Sequence, residues 1–123
     1  MIDPLADELA LVQERYPEAG LEEAGGGRRL FLPSVPLPNG WNRRSTPVWV
    51  SIPQVYPNVR PDCFFAAPDL RLAAGGEPAN SGVQALDGQV VRWFSWHPAS
   101  WDPQHDGLLQ YARFVERRFA EAR

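Results

Sequence analysis

TPVWVSIPQVYPNVRPDCFF, residues 46–65, decides how the rest of the chain is read. Val48, Val50 and Ile52 alternate with Trp49 and Ser51, the two-residue period of a half-buried strand. Pro57 and Pro61 cannot donate to a sheet ladder, so they belong to a loop and not to a central strand. CFFA, residues 63–66, is then a short further strand entered from that loop. Cys63 and Phe65 are two apart and share one face of it.

Upstream, RRLFLPSV (28–35) reads as a strand closed by the turn residues of PLPNGW (36–41). GLEEAGGG (20–27) reads as a break. DPLADELALVQERY (3–16) reads as a helix, with Asp3 as N-cap and Pro4 at its first position. Leu5, Leu9, Val12 and Tyr16 fall on one face of it, and Pro17 and Gly20 end it.

Downstream, PDLRLAAGGEPANSGVQALDGQ (68–89) has no clear periodicity, and Gly75-Gly76 and Asp87-Gly88 mark turns. It reads as a long irregular connection, a kind of segment that is often functional inside a compact domain. VVRWFSWHP (90–98) reads as extended. DPQHDGLLQYARFVERRFAEAR (102–123) reads as a helix, with Leu108, Ala112, Val115, Phe119 and Ala122 on one stripe. The order implies an α+β fold in a single domain over residues 1–123. It has an N-terminal helix, an antiparallel β-meander, a long loop and a C-terminal helix. Trp41, Val48, Val50, Phe65 and Leu108 are expected in its core.

Composition narrows the function. A chain of 123 residues has room for one core, and 44% apolar with 22% charged residues is an ordinary globular balance. A net charge of −3 gives a nucleic-acid partner no global electrostatic support. One cysteine excludes an internal disulfide framework and suits a reducing compartment. The acidic N-terminus lacks the basic flank of a signal peptide, and no apolar run approaches the roughly 20 residues of a membrane helix. A cytoplasmic protein is expected, with no membrane and no nucleic-acid partner. All 12 basic residues are arginine, so no lysine amine is present to be acylated.

Two histidines, His97 and His105, and one cysteine show no close-spaced ligand pair, so no metal is expected. With no P-loop and no GxGxxG, no cofactor is expected either. Cys63 reads as a small core hydrophobe whose neighbour Asp62 discourages the thiolate. The chemistry concentrates in RWFSWHPASWDP, residues 92–103. In an extended chain Ser95 and His97 share a face, with roughly 6–7 Å of rise between them. A serine hydroxyl is a weak nucleophile unless a base assists it, and an imidazole at that spacing is within reach. The plainer alternative is a surface serine and a histidine packed between Trp96 and Trp101. Ser81 and Ser100 offer further hydroxyls nearby.

Tyr56, Pro57, Pro61 and Phe65 match the Tyr-Pro, gap, Pro, strand pattern of the ubiquitin-conjugating enzyme (E2) superfamily. Trp101 and Pro103 resemble the Trp-x-Pro that precedes an E2 C-terminal helix. More closely, PNGWN (38–42), YPNVRPDCF (56–64) and RWFSWHPASWDP resemble the bacterial E2 family E over roughly residues 29–120. The resemblance implies an E2-like fold whose long loop borders the active site. It also implies a carrier that accepts the activated C-terminus of a ubiquitin-like protein from an E1-like activating enzyme. A JAB-type or other processing peptidase is a further partner it implies.

The E2 catalytic cysteine lies about eight residues before the Trp-x-Pro, where this chain has none, and the His-Pro-Asn motif is missing too. Cys63 falls where E2 enzymes carry an aliphatic residue. Three readings stay open. Ser95 replaces the cysteine and carries the acyl group as an oxyester, with His97 as base. Or the chain is an inactive E2 variant that only binds a ubiquitin-like or E1-like partner. Or it is a peptide-binding scaffold with tryptophan anchors.

Overall fold

The computed structural model describes residues 3–24 and 27–123. Helix α1 spans Pro4–Arg15. The strands are β1 (Gly20–Ala24), β2 (Gly27–Pro36), β3 (Ser45–Ile52), β4 (Phe64–Ala66), β5 (Ser81–Leu86) and β6 (Gln89–Phe94), and helix α2 spans Leu108–Phe119. The strands form one antiparallel sheet in the order β1-β2-β3-β4-β6-β5. The architecture is α+β, with both helices on one face of the sheet.

The helix and strand signals behave as their chemistry requires. The Asp3 carboxylate accepts from the Leu5 amide at 3.0 Å, closing the first turn of α1 as an N-cap does. In β3 every second residue is buried, Val48 and Val50 completely, and they meet Leu30, Leu32, Phe64 and Phe94 beneath the helices. Trp41, Phe65 and Leu108 are buried as expected. Phe64 stacks on Phe94 with ring centroids 4.9 Å apart. The Phe119 ring of α2 stands edge-on to Phe64, Phe94 and Trp41 at 5.4–5.6 Å.

Three expectations need correction. The break at residues 20–27 contains β1, which pairs along β2 from Gly20↔Phe31 to Ala24↔Gly27; Gly25 and Gly26 of that break lie outside the described residues. The long irregular connection over 68–89 is shorter, because β5 occupies its second half and pairs with β6. Asp87 and Gly88 join the two strands with φ of 49° and 79°, the doubly left-handed geometry of a two-residue type I′ hairpin turn. Glycine is needed at the second position because a side chain would be strained there. The C-terminal helix begins only at Leu108, after a turn in which the Asp102 carbonyl accepts from the His105 and Asp106 amides.

The β5–β6 hairpin does not lie flat. Arg29 on β2 pairs with Asp87 at its tip, Nη1 to Oδ2 2.7 Å. In a flat sheet β3 and β4 would keep β2 and β6 about 14 Å apart, at about 4.8 Å per strand. The tip therefore bends back over the face away from the helices, and Val91 and Phe65 are buried there.

Glu8 of α1 joins three segments. Its Oε1 accepts from the Tyr56 hydroxyl at 2.5 Å and from the Leu108 amide at 2.8 Å. The first turn of α2 has no acidic residue of its own, so Glu8 supplies the negative charge that a helix N-terminus favours. Gly107 makes room for it, since a Cβ there would lie 2.6 Å from that oxygen. Burial raises the Tyr56 phenol above its ordinary pKa, and the bond to Glu8 adds to the rise, so Tyr56 stays a donor. Glu8→Ala is expected to lower stability by about 1–3 kcal/mol, the cost of stranding part-buried donors, with Glu8→Gln recovering most of it. Urea denaturation measures this, and an unchanged midpoint in Glu8→Ala would show that the junction contributes nothing.

Candidate functional site

Ser95 directly follows β6. Phe94 points into the core, so alternation turns Ser95 to the opposite face, and the residue is exposed. Its backbone is held from several sides. The Ser95 amide donates to the Asn80 carbonyl at 2.9 Å. Arg118 of α2, buried to 3% exposure, donates to the Ala79 carbonyl at 3.1 Å. The same guanidinium lies over the rings of Trp96 at 4.8 Å and Phe94 at 5.3 Å, within cation–π range. The Tyr111 hydroxyl donates to the Trp96 carbonyl at 3.2 Å. One helix therefore fixes the residues on both sides of Ser95 and the loop segment that pairs with it, and leaves the Ser95 hydroxyl open to solvent.

His97 is exposed as well, and among the described residues no hydrogen bond joins it to Ser95. It is not packed between the tryptophans. Trp96 turns toward Arg118, and Trp101 donates from Nε1 to the Pro57 carbonyl at 2.8 Å. Trp101 also meets the Tyr56 ring at 6.1 Å. The loop from Pro98 to Trp101 and the outer side of α2 enclose a cleft of about 370 Å³, with Ser100, Gln110, Phe114 and Arg117 in its wall. A larger cleft, about 730 Å³, lies elsewhere, between the end of α1 and β2, and includes none of these residues.

The other hydroxyls differ sharply. Ser81 donates to the Pro78 carbonyl at 2.6 Å and accepts from the buried Arg92 at 3.0 Å, so its oxygen is already engaged. Ser100 is exposed in the cleft loop. The second histidine, His105, has a carboxylate partner that the sequence reading does not assign. Its Nδ1 lies 2.6 Å from Asp102 Oδ2, and the bond to that carboxylate holds the imidazole above its ordinary pKa. The i, i+3 spacing of an aspartate and a histidine before a helix was the available signal for this pair.

Cys63 is half-buried, on the outer face with Phe65; Phe64 and Ala66 are the residues of β4 that enter the main core. Burial pushes its thiol up, a hydrogen bond with Trp93 opposes this, and Asp62 adds to the rise. A thiol raised in this way is a poor nucleophile at neutral pH. Cys63→Val is expected to fold with a stability change under about 1.5 kcal/mol, because size and apolarity are kept. It should leave any acyl transfer intact; loss of transfer in a folded variant would return the cysteine to the mechanism.

The family model described as Prokaryotic E2 family E matches residues 5–122, nearly the whole chain. The chain belongs to that family. Membership indicates an E2-like role in ubiquitin-like conjugation, and with it interaction with ubiquitin-like proteins and E1-like enzymes in general. No curated protein and no solved structure matches the chain. Among the described residues no helix is long and apolar enough to cross a membrane.

Proposed function

We propose that the protein is a cytoplasmic E2-like carrier that receives the activated C-terminus of a ubiquitin-like protein on Ser95. The observation that carries this reading is a contrast between two side chains. The single thiol of this E2-family chain is half-buried and raised in pKa, whereas the Ser95 hydroxyl is exposed on a firmly held backbone. In the proposed step the Ser95 oxygen attacks the thioester carbonyl on the E1-like enzyme, and the carbon–sulfur bond breaks. His97 takes the serine proton and passes it to the leaving thiolate. The product is an oxyester and a free E1 thiol, with no net oxidation.

The test is a gel assay with the E1-like enzyme, ATP and the ubiquitin-like protein. An adduct that survives reducing agent but is cleaved by hydroxylamine or mild base is the expected result. A second reading, an inactive E2 variant that binds a ubiquitin-like or E1-like partner, is favoured by the missing hydrogen bond between Ser95 and His97. It predicts stable binding and no adduct.

A further inference from the structure

We propose that the free edge of β5 receives the extended C-terminal tail of the ubiquitin-like partner as an added antiparallel strand that leads to Ser95. This rests on the reading of the chain as a carrier for such a protein.

The two edges of the sheet are built differently. Edge strands present unpaired N–H and C=O groups, and proteins usually blunt them with charge or proline. β1, at one edge, carries Glu22 and Glu23. β5, at the other, reads SGVQAL, with neither a charge nor a proline. Val83 is 51% exposed, and Val90, paired with Ala85 one step along the same face, is 54% exposed. An uncharged edge flanked by exposed apolar side chains is the surface on which β-augmentation occurs: main-chain bonds supply affinity and the side chains select the sequence.

The pairing pattern identifies the free groups. The Ser95 amide bonds to the Asn80 carbonyl, so that pair is of the hydrogen-bonded kind. Hydrogen-bonded and open pairs alternate in an antiparallel ladder, so 82/93, 84/91 and 86/89 face inward to each other. Ser81, Val83 and Ala85 therefore point their N–H and C=O groups outward. Direction follows as well. A strand antiparallel to β5 runs from the Leu86 end to the Ser81 end, so its C-terminus arrives beside Asn80, the residue that holds Ser95. The added strand would lie two spacings, about 10 Å, from β6, a gap that about three extended residues cross. The ligand is thus an extended tail with apolar residues at alternate positions, to match Val83 and Val90. A second copy of this chain, pairing β5 to β5, is the competing occupant.

The probe is an eight-residue peptide of alternating threonine and valine ending in Gly-Gly, titrated into the isotope-labelled full chain and followed by NMR. The Ser81, Val83 and Ala85 amides are expected to shift and to gain protection from hydrogen exchange. A paramagnetic tag on the peptide C-terminus should broaden Asn80 and Ser95 and spare Leu86. Val83→Pro removes an outward N–H and no β5–β6 bond, and should weaken binding about ten-fold, as loss of one or two main-chain bonds would. Val83→Lys, which leaves every backbone group in place, should weaken it too.

Shifts elsewhere, broadening at Leu86, or unchanged affinity in both variants would overturn the proposal. So would β5 protection without peptide in a chain with a dimer's mass. Peptide binding needs no acyl transfer, so normal binding without an adduct would remove the serine carrier alone.

Discussion

Ser95→Ala is expected to abolish the base-labile adduct completely, and Ser95→Cys to replace it with one that reducing agent cleaves. The first substitution removes the only atom that forms the proposed ester bond. The second exchanges oxygen for sulfur at a position whose backbone is fixed by Asn80 and by the Arg118 contacts, so the geometry is kept. His97→Ala should slow adduct formation by roughly 10²–10⁴, the usual range for a general acid–base group. Ser100→Ala is the informative control, because that hydroxyl is also exposed nearby. It should form adduct at the wild-type rate. Ser81 needs no such control for nucleophilicity, since its oxygen is bonded to Pro78 and Arg92. An adduct that persists in Ser95→Ala would move the carrier elsewhere, and no adduct from the wild type with its own partners would leave binding as the function.

That experiment bears on a site which the sequence made only half visible. Ser95 stood out in the sequence as a candidate because it lies two residues from His97 in a stretch that reads as extended, so the two share a face. The clamp on Ser95 was not legible. Arg118 reaches Ala79 and Trp96 from a helix far along the chain, and no local pattern announces a long-range contact of that kind. The same division holds for the fold. β3 showed its period because one face meets the helices. β5 showed none because it lies at an exposed edge, where no burial enforces alternation. Its turn was readable: Asp-Gly is a strong hairpin signal, and reading it as a loop end instead of a hairpin hid β5, the strand before the turn. β1 was hidden by glycines on both sides and by glutamates that belong to a sheet edge. Cys63 reads as a core residue because a free cysteine packs as a small hydrophobe and shares a face with Phe65. It does share that face, but Phe64 and Ala66 occupy the positions of β4 that enter the main core, and Cys63 is only half-buried.

Phe119→Ala is expected to lower stability by about 3–5 kcal/mol, the cost of truncating a fully packed phenylalanine. The ring is 1% exposed and makes edge-on contacts with three other rings, Trp41, Phe64 and Phe94. Each such pair adds about 0.5–1.5 kcal/mol beyond area burial, which favours the upper part of that range. Small domains hold only about 5–15 kcal/mol in total, so the urea midpoint should fall steeply while the slope stays constant. Phe119→Leu keeps most of the volume and should cost much less. The loss should not stay in the core. Phe119 closes the last turn of α2, its carbonyl accepts from Trp41 Nε1 at 2.9 Å, and its neighbour Arg118 holds the segments on either side of Ser95. Hydrogen exchange at the Ser95 amide should therefore quicken in Phe119→Ala by more than in a surface substitution on the same helix, such as Arg113→Ala. If the midpoint falls but Ser95 exchanges no faster than global unfolding requires, the helix supports the core alone, and the backbone around Ser95 is held by its sheet neighbours.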